Sequence, residues 1–149
     1  MNANTLCKLM TQRRNVLAEL LELGRHQIDV IAAGRMSELM ALLAQKQRPL
    51  QQLAEICHVL REAAQEDPQQ RRWDSETQRQ QCREDQEQCE QMHVELLAIE
   101  AQCETALQES RETLQQRISR LDSAHQAANQ YANCDAGPTV GARLDLSSN

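Results

Sequence analysis

The chain has no phenylalanine, one tryptophan, one tyrosine, four glycines and three prolines in 149 residues. So few turn-formers exclude a sheet protein, which needs them between its strands. No basic stripe exists either. The net charge is −6, most cations are interleaved with acids, and Arg13-Arg14 and Arg71-Arg72 are only short pairs. A nucleic-acid binder needs a run of cations to neutralise phosphates, so none is expected as a partner. No stretch approaches the ~20 apolar residues that span a bilayer, so no membrane insertion is expected. Met1 to Met10 lacks the apolar core and small-residue cleavage site of a secretory leader, which points to a cytoplasmic protein.

Chemistry-bearing motifs are equally scarce. There is no phosphate-cradling glycine loop, no HExxH and no nucleophile elbow. The four histidines, His26, His58, His93 and His125, are scattered, and the carboxylates fall on polar faces where they keep ordinary acidity. Three rods also offer a poor concave pocket, so the chain is expected not to be an enzyme. Six cysteines in a cytosolic chain are expected to be reduced. Cys82, Cys89 and Cys103 lie on one helix face, roughly 10 Å or more apart, and cannot bridge to one another. They read as small apolar seam residues. Cys7, Cys57 and Cys134 fall in no ligand spacing. Cys89 and His93 could supply half a zinc site, but nothing supplies the other half, so no metal and no cofactor is expected. A redox or metal sensor on the three seam cysteines is the competing reading.

What is abundant is helix. Glutamine occurs twenty-one times, and the polar faces mix Arg with Glu. From Pro68 to Gln130 there is no glycine and no further proline. Cys82, Cys89, Leu96 and Cys103 repeat every seven residues. Leu107, Leu114, Leu121 and Ala128 form a second seven-spaced line, with Met92, Ile99 and Ile118 between. Such spacing keeps one stripe turned toward a partner helix. A helix of that length reaches roughly 90 Å.

Two shorter helices precede it. Leu6, Leu9, Met10, Val16, Leu17, Leu20, Leu21, Ile28 and Ile31 fall at three- and four-residue steps over residues 4–33. Gly24 lies inside that pattern at a cost of ~1 kcal/mol against alanine, and Gly34 suits a left-handed terminal cap. Met36, Leu39, Met40, Leu43, Leu50, Leu53, Ile56 and Leu60 form the expected apolar face of a second helix, 36–65. So short a link makes the pair an antiparallel hairpin. Pro49 should kink the second helix without breaking it. Two starts compete for the third helix: Asp67 before Pro68, or Ser75 with Gln78 as a capping box. Gln69 to Gln81 is nearly all polar except Trp73, either loop or a solvated first turn or two. The expected fold is all-α: an antiparallel three-helix bundle or coiled coil, with a hairpin packed on a longer third helix of about 75–130. It occupies residues 1–131. Residues 132–149, bearing Gly137, Pro138 and Gly141, read as a flexible tail.

Helices of roughly 45 Å can cover only about half of the third. The part beyond Cys103 would then present Leu107, Leu114, Ile118 and Leu121 to water, which is costly unless something covers them. A partner helix could do so. So could a shifted bundle, or a second copy in a homodimeric structural coiled coil.

The opening hairpin, with Leu20-Leu21, Ile28 and the run Met36 to Gln47 followed by Leu50 and Leu53, resembles the FlgN family of flagellar type III export chaperones. The long third helix reaching Tyr131, then Gly137, Gly141 and Leu144-Asp145-Leu146, is similar to that family as well. The resemblance implies a cytosolic monomer or weak dimer that holds hook-associated proteins, the hook-filament junction proteins, export-ready. It implies that Leu107, Leu114, Ile118 and Leu121 hold the client's C-terminal helix. It also implies that Tyr131 contacts the cytoplasmic domain of the export gate.

Overall fold

The computed structural model describes the backbone of residues 1–146 and the side chains of residues 1–134. Three α-helices follow in order: α1 (Ala3–Ala32), α2 (Met36–Ala63) and α3 (Glu76–Leu146). The architecture is all-α, a helical hairpin packed on the first part of a longer third helix. The chain divides into two compact units, Met1–Gln108 and Glu109–Asn149, so the division falls inside α3.

Local chemistry sets each boundary. Asn2 caps α1 by accepting from the Thr5 amide at 2.8 Å. At the other end Gly34 has φ 71°, the left-handed value expected of it. Its amide bonds to Ile31 O at 3.0 Å, and that of Arg35 to Val30 O at 3.1 Å, which closes the Schellman arrangement. The helix α2 runs unbroken across Pro49. Both competing start signals before α3 are used. Asp67 caps a 3-10 turn, Pro68–Gln70, by accepting from the Gln69 amide at 3.0 Å. Ser75 Oγ then accepts from the Gln78 amide at 3.1 Å and starts α3, while Gln78 Oε1 accepts from the Asp74 amide at 2.9 Å. Between them Trp73 packs on Leu6, Met10 and Cys82, which pins the link to the bundle. Past Gln130, where composition placed the helix end, α3 continues to Leu146. The side chains of the expected tail from Asp135 onward, with Leu144-Asp145-Leu146, lie outside the described residues.

Within the first unit the three helices share one seven-residue register. On α1 the seam is Ala3, Leu6, Met10, Arg13, Leu17, Leu20, Gly24, Gln27 and Ile31, all buried except Arg13, which is half-buried. On α3 it is Cys82, Asp85, Cys89, Met92, Leu96, Ile99 and Cys103, with only Met92 less than buried. The α1 and α3 helices run parallel. Cys89 Sγ donates to Met10 O at 3.7 Å and Cys103 Sγ to Gly24 O at 3.8 Å, and both pairs are 79 residues apart. The cysteine line is therefore seam packing, with the Cys89 and Cys103 thiols facing the α1 backbone and Cys82 clustered with Leu6 and Met10.

The sequence misjudged α2. Its seam is Leu39, Leu42, Lys46, Pro49, Leu53, Ile56, Leu60 and Ala63, at strict alternating steps of three and four. Met36, Met40, Leu43 and Leu50, expected in the core, are exposed. Hydrophobicity alone picks the greasier of two adjacent stripes, whereas packing chose the one with unbroken spacing. That choice places Lys46 in the core at 4 % exposure. Its Nζ donates to Gln27 Oε1 at 2.9 Å and pairs with Glu100, so one ammonium ties α1, α2 and α3 together. Asp85, 3 % exposed, plays the same part between α1 and α3, accepting from Arg14 Nη1 at 2.6 Å and Gln81 Nε2 at 3.2 Å. Gly24 has a positive role as well. A Cβ there would meet Ile99 Cγ2 at 2.7 Å, so the glycine permits close approach of α1 and α3.

Candidate functional site

The second unit carries its apolar side chains on the surface. Leu114, Ile118 and Leu121 fall at steps of four and three along α3 and are 51 %, 58 % and 70 % exposed. Their spacing puts them on one face of a helix, within about 60° of one another around its axis. Arg111, Gln115, Arg117 and Asp122 border them in the sequence. Thr113 is spent internally, its hydroxyl donating to Glu109 O at 2.9 Å. Such a stripe has no acid, base or nucleophile to offer. What it can do is pack against another amphipathic helix, where each leucine or isoleucine is worth about 1.5–3 kcal/mol on full burial.

Leu107 differs from the other three. It belongs to the first unit and packs, half-buried, against the core cluster around Leu96, Ile99 and Cys103. The structure thus assembles Leu114, Ile118 and Leu121 into one line and leaves Leu107 as the last residue of the bundle's own packing. Tyr131 is 77 % exposed. It follows Leu121 by ten residues, which on a helix of 3.6 residues per turn sets it about 80° from that leucine and off the stripe. It forms a separate feature.

The register explains why the bundle's pattern stops. Continued beyond Cys103 and Ala106, the steps of three and four reach Ser110, Thr113, Arg117 and Arg120, all polar. The apolar line of Leu114, Ile118 and Leu121 is displaced from that register by one residue. A hairpin shifted along the same seam would therefore meet hydroxyls and guanidinium groups.

Other surface features escaped sequence reasoning. Met36, Met40, Leu43 and Leu50 make an exposed line on α2, and Val94 and Leu97 stand out on α3 at 67 % and 58 %. The paired Cys89 and His93 do not form half a metal site: Cys89 is fully buried against α1 and His93 is exposed. Among the described residues no three His, Cys, Asp or Glu side chains converge.

Comparison with protein families matches residues 1–136 to the family described as FlgN protein. Comparisons with curated proteins and with solved structures gave no match. The match spans nearly the whole chain, covering the first unit and most of the second. The chain belongs to the FlgN family, a family of flagellar export chaperones.

Proposed function

We propose that this chain is a cytosolic export chaperone that binds the C-terminal helical segment of hook-associated proteins and delivers them to the type III export gate. Leu114, Ile118 and Leu121 hold the client helix, and Leu107, packed on the bundle core, marks where the stripe begins. Covering the client's own assembly surface would prevent premature assembly. Tyr131 is the anchor for the gate's cytoplasmic domain. Its position off the stripe lets one face hold a client while the other engages the gate. Family membership supports the chaperone role. The observation that carries the site is the exposed line of three large aliphatic side chains whose register departs from that of the bundle. No helix among the described residues is long and apolar enough to cross a membrane.

Titration calorimetry of the full chain with the purified C-terminal segment of a hook-associated protein tests the proposal. Saturable binding at one-to-one stoichiometry is expected, lost in the doubly substituted Leu114→Asp, Leu121→Asp chain. Undiminished binding by that chain removes the stripe from the account. A homodimeric coiled-coil scaffold is the second reading, favoured by the exposed line Met36, Met40, Leu43 and Leu50 on α2. Light scattering separates the two, since the chaperone reading expects a monomer or weak dimer.

A further inference from the structure

An open cleft of about 470 Å³ lies in the first unit, among α1, α2, the link and α3. Its floor is apolar, from Leu6, Met10 and Leu60, and Arg13, Arg61 and Arg71 stand around it. Two of these guanidinium groups are held in an unusual way. Arg13 occupies a seam position of α1, and the Arg71 side chain is only 13 % exposed. The Nε of each is shut off from solvent and finds no acceptor among the described residues.

Acids are plentiful in this chain, with 22 against 16 lysines and arginines, yet only one lines the cleft, and its ion pair with Arg71 leaves both Nε atoms without an acceptor. The single carboxylate at the cleft, Glu66, is bonded to the Met1 amine at 2.7 Å. It stands 3.9 Å from Arg71 Nη2, beyond hydrogen-bonding distance. A buried donor without an acceptor is costly, so one kept in a native fold calls for an explanation, and a bound partner supplies one.

We infer that this cleft receives an acidic side chain of a partner polypeptide, flanked on its own chain by apolar residues. In each guanidinium Nε and one Nη form a fixed planar fork, the geometry that a carboxylate matches. The floor of Leu6, Met10 and Leu60 rewards apolar flanks, as a cleft with few polar groups does. A bare phosphate would gain nothing from that floor and would lose more hydration on entering. The site lies wholly within the first unit and shares no residue with the stripe on the second.

The test uses the full chain and follows its arginine Nε–H resonances by NMR. The probe is the capped peptide acetyl-Ala-Leu-Glu-Leu-Ala-amide, compared with its glutamine analogue and with inorganic phosphate at equal ionic strength. Saturable shifts of the Arg13 and Arg71 signals are expected with the acidic peptide, with at least tenfold weaker binding of the amide analogue. Arg71→Gln should weaken the peptide at least fivefold while the helical circular dichroism is kept. The wild-type Nε–H shifts stand by themselves should that variant lose its fold. Absence of saturation, equal binding of the two peptides, or tighter binding of phosphate than of the peptide each overturns the inference.

Discussion

Ile99 Cγ2 occupies the space that a Cβ on Gly24 would need, 2.7 Å from its ideal position. Cys103 Sγ reaches the carbonyl of the same glycine at 3.8 Å, so two successive α3 contacts depend on one missing methyl group. In an isolated helix Gly→Ala gains about 1 kcal/mol. Overpacking costs about 1–3 kcal/mol. Gly24→Ala is therefore expected to destabilise the chain by about 1 kcal/mol in urea unfolding. Adding Ile99→Leu, which removes the Cγ2 branch, should restore part of it. A stabilised Gly24→Ala chain would show that α1 and α3 do not approach so closely.

Lys46 is expected to behave as one part of a pair. Lys46→Met keeps the buried stem but leaves Gln27 Oε1 without its donor, at a cost of about 1–3 kcal/mol. The double change Lys46→Met, Gln27→Leu removes both polar ends and should recover most of the loss, since apolar replacement of buried polar pairs is often neutral or stabilising. Thermal unfolding of the four chains measures this as a coupling energy. Strict additivity of the two single changes would mean that the two side chains are independent.

Leu107 and Leu114 should respond oppositely to the same substitution. Leu107→Asp puts a charge against the core cluster and is expected to lower stability by about 2 kcal/mol or more. Leu114→Asp lies on an exposed face and should stay within about 0.5 kcal/mol of the parent, while weakening client binding at least tenfold. Urea midpoints and calorimetry on the same samples give both numbers. A large stability loss in Leu114→Asp would place that leucine in a core.

Tyr131→Ala should spare client binding and impair export. Motility and secretion assays of cells carrying the variant, with calorimetry of the purified chain, distinguish the two effects. Reduced client affinity would remove the anchor assignment.

The seam thiols should be unreactive and alkali-sensitive. Burial pushes Cys82 up from 9.0 to about 12, with the neighbouring Cys7 adding to it, and burial raises Cys89 and Cys103 as well. Above pH 9 the unfolded chain has released these protons while the folded chain retains them. Stability therefore falls as pH rises from about 9 toward 12 and is insensitive to these groups below that range. Iodoacetamide at pH 8 should modify the exposed Cys134 well before Cys82, Cys89 and Cys103. Mass spectrometry of the alkylated peptides checks the order.

The cysteine line was legible because seven-residue spacing on an unpunctuated helix has one structural meaning. Gly34 and the two caps at Asp67 and Ser75 were legible because each serves a local backbone need. The polar seam residues were not. Arg13, Gln27, Lys46 and Asp85 look like surface residues in any hydropathy reading, and only neighbouring helices show that the last three are enclosed and Arg13 half-buried. The exposed stripe of the second unit was anticipated from lengths, with 30 and 28 residues in α1 and α2 against 71 in α3. Its inner limit was not, because Leu107 looks the same as Leu114 until the core cluster is seen to reach it.

Taken alone, then, the sequence determined three helices, their ends apart from the last, and the period with which they meet. Those properties arise from backbone and side-chain preferences acting within a few residues. Tertiary structure decided which of two adjacent stripes on α2 faces inward, which glycine lets two backbones approach, and which charges are enclosed. A heptad repeat specifies how often a helix touches its neighbours, and the neighbours specify which side chains that contact covers.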